Sequence, residues 1–340
     1  MLDYRHLRRM TDSTGILQFS RLSVPDISSG YTLDDNARAL IVAIYMENGH
    51  DLALTYASWL YQAQRLDGTW SNLQSLGRDI PALDSEDSVG RALLACALGM
   101  SCSWPDVQSL CRSMFNHNLP RAITFTSPRA VAYTLLGLCK IDQPLSREHI
   151  KLIHQLTSFL TGLYRQKQRK GWYWFENFFT YCNGILPQSL FAAYKRTGDI
   201  KALKIGHDAL NFLCDVLFES GYLNIIGNKG WYIRGRKKAR FDQQPVDAAS
   251  TAFACWEAYH ILGGQHYLDM AQKAHRWYHG ANVHGLKLYD GNTGGCYDAL
   301  TEEGVNLNQG AEAVLSYLLC EQHIAKYLHQ EQPSAVEQSS

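Results

Sequence analysis

Apolar residues recur at helical spacing along almost the whole chain, and they do so in two ways that alternate. Asp51 to Gln64, Trp104 to Asn116, Arg147 to Arg165, Ile200 to Phe218 and His266 to His279 each carry one apolar stripe and one polar face. Asp35 to Tyr45, Glu86 to Leu98, Pro128 to Cys139, Pro187 to Tyr194, Val246 to Ile261 and Gln309 to Cys320 are apolar nearly all round. A helix with a single stripe covers one flank of a core, whereas a helix without a polar face must be enclosed on all sides. The alternation therefore predicts an outer and an inner layer of helices. Leu2 to Met10 supplies the outer helix that the count would otherwise lack.

The apolar helices number about six and return at intervals of about 40 to 60 residues, the period of a repeat architecture. The expected fold is all-α, an (α/α)6 toroid of six helical hairpins. Residues 1–328 form a single domain in this reading, and the Ser/Gln-rich residues 329–340 form a disordered tail. An open α-solenoid that binds protein is the competing arrangement, but a solenoid repeats its scaffold motif from unit to unit, and here the loops differ from one another. Connections from inner to outer helices are short, as at Arg196 to Ile200, with Gly as the helix stop. Connections of the opposite sense are long: Arg65 to Asp84, Lys167 to Leu186, Ser220 to Pro245 and Ala281 to Val305. Long irregular loops gathered on one face are where function is expected.

Composition narrows what that function is. The 340 residues balance to a formal net charge of +0, and 46% of them are hydrophobic. A nucleic-acid partner would ask for a basic excess or stripe, so none is expected. No run approaches the roughly 18 apolar residues of a membrane span, and the charged N-terminus MLDYRHLRRM lacks the apolar region of a signal peptide. These features predict a soluble, cytoplasmic protein. The nine cysteines are scattered, mostly through apolar helices, and read as small core residues in a reducing compartment.

The chemistry sits where inner helices open. Two of them share Asp-x-x-x-Arg-Ala-Leu: Asp34, Arg38, Ala39 and Leu40 in one copy, Asp87, Arg91, Ala92 and Leu93 in the other. The spacing places Asp and Arg on one helix face, and a first-turn Asp suits the positive end of the helix dipole. Cap and ion pair would explain either copy alone. Asp34, Asp35, Glu86 and Asp87 together bring more negative charge to adjacent helix mouths than a structural role requires. Breaking a glycosidic bond takes one protonated carboxyl and one ionised carboxylate. Asp34, Asp35 and Asp87 are therefore the first catalytic candidates, with Asp247 and Glu312, at the openings of later inner helices, as the second. Trp172, Trp174 and Trp231 are candidate stacking surfaces for sugar rings, although rim packing would also explain them. Glu176, Arg38, Arg91, Asn183, Gln244, Asn308 and Gln309 complete the expected polar lining. No phosphate-binding loop or nucleophile elbow is present, and no cofactor is required. His275 and His279 have the spacing of a metal pair but read as surface residues, so no metal site is expected.

The runs GWYIRGRKKARFDQQPVDAA, LYDGNTGGCYDAL, GVNLNQGAEA and YTLDDNARAL resemble helical domains fused to, or encoded beside, bacterial group 1 glycosyltransferases. The matches reach from near Tyr31 to near Leu319. The resemblance implies a six-hairpin, glycosidase-like fold, a setting in saccharide metabolism and a separate glycosyltransferase as a partner. Ala313 departs from it where Ser is expected beside Glu312. The expectation is a glycoside hydrolase acting on an oligo- or polysaccharide. A non-catalytic saccharide-binding or scaffold module, and a sugar isomerase, lyase or phosphorylase on the same fold, are the alternatives.

Overall fold

The computed structural model describes residues 2–67, 69–75 and 77–330. Its helices follow the two-layer pattern of the sequence. The inner layer is α2 (Leu33–Ile44), α4 (Glu86–Gly99), α6 (Pro128–Lys140), α8 (Ile185–Thr197), α10 (Pro245–Leu262) and α12 (Ala311–Gln330). Each packs against the next, and α12 closes on α2, so the inner helices form a ring. The outer layer is α1 (Arg5–Met10), α3 (His50–Gln62), α5 (Pro105–Asn118), α7 (Arg147–Lys167), α9 (Ile200–Leu217) and α11 (Gln265–Arg276). Outer and inner helices pair as hairpins, with α1 against α12 completing the sixth. The chain is an (α/α)6 toroid. Residues 331–340, most of the expected tail, lie outside the described residues, and α12 itself continues to Gln330.

Local signals set the helix ends. Thr32, Ser85, Ser127, Ser146 and Asp199 cap α2, α4, α6, α7 and α9 with their side-chain oxygens. Gly198 and Gly263 end α8 and α10 in the left-handed region, at φ +75° each, where a residue without Cβ is unstrained. Small residues let inner helices approach closely: a Cβ on Gly90 would lie 2.7 Å from the Ala130 carbonyl oxygen. Across α4 and α6 a larger side chain would have to push two core helices apart.

Hairpin order puts the N-termini of all six inner helices at one end of the ring. There the long connections are tied to one another by strands of two or three residues. Tyr31–Thr32 pairs with Leu73–Ser75, and Phe178–Phe179 pairs with Tyr232–Ile233. The loop face is thus a clasped rim around the ring's mouth. No helix among the described residues is long and apolar enough to cross a membrane. All nine cysteines are free, and eight of them are buried.

Candidate functional site

The mouth is built from first-turn side chains of the inner helices. Thr32 caps α2 by accepting from the Asp35 amide at 3.0 Å and donates its hydroxyl to Asp35 Oδ2 at 2.7 Å. That exchange fixes Asp35 inward and leaves Asp34, one residue earlier, at the rim. Arg38, one turn on, lies 3.1 Å from Asp34, 3.3 Å from Asp35 and 3.0 Å from Glu312 of α12. Arg91 reaches across from α4 to Asp34 at 2.6 Å. Its guanidinium also lies 4.7 Å from the centre of the Tyr133 ring and donates to Cys182 Sγ at 3.7 Å.

The second copy of the motif is wired differently. Asp87 accepts from the hydroxyls of Ser127 and Tyr181, and no ion pair joins it to Arg91. The internal pair read from the i, i+4 spacing is therefore replaced by a cross-ring pair. Glu86 accepts from the backbone amides of Thr126 and Ser127 at 2.7 and 2.6 Å, which makes it a strut for the start of α6. Arg129, in the first turn of α6, pairs with Glu176 at 2.9 Å and donates to Asn183 and to the Tyr181 carbonyl. Cys182 donates its amide to Asp247 Oδ1 at 2.6 Å, while Asp247 Oδ2 is buried without a partner. Asp34, Asp35, Arg38, Arg91 and Glu312 thus touch directly. Tyr181 and Cys182, adjacent in one loop, join Asp87 and Asp247 to them.

This wiring separates the protonation states of the acids. Burial works against the charge of Asp34, but Arg38 and Arg91 outweigh it and hold the carboxyl below the ordinary range. Burial pushes Asp35 up to about 7 despite Arg38, and the charge of Asp34 adds to the effect. Asp247 is also raised to about 7, by burial against the Cys182 amide. Asp298, whose Oδ1 accepts from the Gly310 amide just before α12, is raised to about 6 by burial, with Glu312 adding to it. Asp35 and Asp247 are 4% and 5% exposed, whereas Asp298 is half-buried.

Several expected lining residues are placed elsewhere. Trp172 and Trp174 are 3% and 0% exposed, so neither offers a face to a sugar. They pack with Phe179, and Trp172 also packs with Phe212 and Tyr232, inside the rim. Gln309 is turned away to Asp290 and Thr293, Asn308 accepts from the Leu22 amide, and Asn183 braces Arg129 and its own loop. In each case the packing of the long loops has claimed the side chain. Gln244 is half-buried at the start of α10, and Trp231 is half-buried with its ring 6.3 Å from that of Tyr181. Trp231 and Cys182 both hold left-handed backbone, at φ 56° and 47°. Such conformations cost of order 1 kcal/mol and concentrate at functional sites.

Arg129, Tyr133, Tyr181, Cys182 and Asp298 were not expected at the mouth. Arg129 did carry a signal, because the dipeptide Arg-Ala recurs near the start of three successive inner helices, at Arg38, Arg91 and Arg129. Asp298 comes from a loop without helical periodicity and gives no comparable sign. Beneath the arginines the ring encloses a cavity of about 230 Å³ lined by Ile41, Leu94, Leu136, Val246, Phe253 and Leu319 among others. It is mainly apolar and lies on the far side of Arg38 and Arg91 from the acids. The cavity is also bordered by Lys140, Glu257, Gln322 and His323, whereas the clustered carboxyls and their arginines belong to the mouth.

No known family profile matches the chain, and no characterised protein matches it in sequence. Its fold does have solved relatives. A sugar epimerase from a ruminal bacterium superposes with a TM-score of 0.71 at 11% identity, over 95% of each chain. Cellobiose 2-epimerase from Bacillus thermoamylovorans gives 0.72 at 10% identity, over 94% of this chain and 95% of the epimerase. An α-mannanase of glycoside hydrolase family 76 from Bacteroides thetaiotaomicron gives 0.61 at 13% identity, over 89% and 88%. These similarities are to six-hairpin, glycosidase-like enzymes, and at such identities they establish the toroid alone.

Proposed function

We propose that this chain is a carbohydrate-active enzyme that hydrolyses a glycosidic bond of an oligo- or polysaccharide at the mouth of the ring. The observation that carries the reading is the split among the acids: Asp34 is held ionised between Arg38 and Arg91, while Asp298 retains its proton to about 6. A pair of carboxyls pushed to opposite protonation states is what glycoside cleavage demands. Asp34 is the carboxylate that activates water or attacks the anomeric carbon. Asp298 protonates the departing oxygen, being the least buried of the three raised carboxyls. Asp35 and Glu312 hold Arg38 in place, Asp87 holds Tyr181 and Asp247 holds Cys182. Trp231 is the remaining aromatic face on which a sugar can stack.

Fold supports the substrate class, since solved proteins sharing the toroid are described as epimerases, an isomerase and glycosidases of sugars. A saccharide built by a separate glycosyltransferase is the proposed source. Isomerisation asks for a base that removes a proton from carbon, most often His. No His occupies the first two turns of any inner helix, which favours carboxylate chemistry. The test is product analysis by NMR after incubation with manno-, gluco- and uronic-acid oligosaccharides, with and without phosphate. New reducing ends without phosphate support hydrolysis. Sugar phosphates, or isomers of unchanged mass, would transfer the site to phosphorolysis or epimerisation.

A further inference from the structure

A second cluster of ligating side chains lies away from the mouth, where the ring closes. His275 is in the last turn of α11, His279 follows it by four residues, and Glu321 is midway along α12. His275 Nε2 is 2.7 Å from Glu321 Oε1, His279 Nε2 is 3.1 Å from the same oxygen, and the two ring nitrogens are 3.3 Å apart. The sequence offered the histidine pair without a third ligand. The packing of α11 on α12 supplies one from 42 residues away.

We propose that His275, His279 and Glu321 bind a divalent zinc-class metal ion, with water completing its coordination. Two imidazoles and a carboxylate form a ligand set suited to zinc and its neighbours rather than to calcium or magnesium. Tetrahedral coordination with bonds of about 2.0–2.1 Å separates neighbouring ligand atoms by roughly 3.3 Å. The nitrogen pair already has that spacing, and the carboxylate needs to withdraw by a few tenths of an ångström. Tyr317, one turn before Glu321, packs its ring against those of His279 and Tyr289, with ring centres 6.0 and 4.7 Å apart. Such partners orient metal ligands. The side chains of His275 and Glu321 are 15% and 17% exposed, while that of His279 is 36% exposed and leaves a path for the ion.

The site is structural in this assignment. Glu321 lies nine residues beyond Glu312 on α12, about 14 Å along the helix axis, so the ion does not reach the acids of the mouth. It pins the end of α11 and the loop that follows to the helix that closes the ring. Without an ion, the same geometry is two imidazole N–H groups donating to one carboxylate oxygen.

The experiment uses the untagged full-length protein, freed of metal with a chelator and titrated with zinc by calorimetry and with cobalt(II) by visible absorption. The expected result is one ion per chain, the intense absorption of tetrahedral cobalt, and a melting temperature that rises with zinc and falls again with chelator. His279→Ala and Glu321→Gln should each weaken zinc binding by at least about tenfold. His279 is exposed enough that its variant should fold, and circular dichroism checks this. Absence of zinc uptake by the parent, or equal uptake by parent and both variants, overturns the assignment.

Discussion

Asp34 and Asp87 stand at the same place in two copies of one motif, in the first turn of adjacent inner helices and four residues before an Arg. They end in opposite company. Asp34 has two guanidiniums, its own Arg38 and Arg91 from the next helix. Asp87 has two hydroxyls, from Ser127 and Tyr181, and makes no ion pair among the described residues. The ring turns Arg91 back toward α2, so one carboxylate collects the charge of both motif arginines. The ion pair read along the helix survives in α2, between Arg38 and Asp34, whereas in α4 the closed ring replaces it with a partner across the gap. Arg129 continues the pattern one helix on, with loop residue Glu176 in place of a motif Asp.

Arg91→Leu should act most strongly on this difference. It removes one cation from Asp34 and cuts the link to Cys182; breaking a fully buried pair costs about 3 to 5 kcal/mol, and the half-buried position of Asp34 puts this loss at the lower end. Urea denaturation would show it, and a loss below 1 kcal/mol would mean that Arg91 is dispensable to the mouth. Asp87→Asn should cost less, about 1 to 3 kcal/mol for strained or lost hydrogen bonds, in the same measurement.

A third comparison uses pH. Asp247 keeps its proton to about 7 when folded, against an ordinary value of 3.8. Between those values the folded state binds a proton that the unfolded chain has released, so rising pH favours unfolding. The contribution of Asp247 is full below about 4 and is lost as pH rises through about 7. Asp247→Asn should therefore melt above the parent at pH 8 and close to it at pH 4.5, whereas Asp34, whose carboxyl is lowered, contributes in the opposite sense. A parent and variant with parallel pH profiles would contradict the burial account. The smallest effect is expected from Trp231→Ala. Loss of one stacking face, about 0.5 to 1.5 kcal/mol, should raise KM a few-fold to about tenfold and leave kcat nearly unchanged.

The ring was legible because its signal is periodic. Amphipathic and enclosed helices alternate in the sequence as outer and inner helices alternate in space, and glycines such as Gly198 and Gly263 mark the turns as expected. The acids at the helix openings were legible for the same reason, since Asp34, Asp35 and Glu312 occupy early helical positions whose direction the helix dictates. The rim was not. Trp172 and Trp174 look like sugar platforms in sequence because loop aromatics carry no mark of which face is buried. Asp298 and Tyr181 come from loops whose course is fixed by two-residue strand pairings and contacts distant in sequence. Glu321 shows the same limit, because its relation to His275 and His279 exists only once α11 lies on α12.

The central claim is that Asp34, and not its motif twin, carries the chemistry. The most direct measurement is turnover of a cleaved oligosaccharide by Asp34→Asn and Asp87→Asn, each confirmed as folded by circular dichroism. Asp34→Asn should lower kcat by about a hundred- to ten-thousandfold, with saccharide binding retained, while Asp87→Asn should stay within about tenfold of the parent. Equal losses in both variants, or turnover by Asp34→Asn within a few-fold of the parent, would contradict the account.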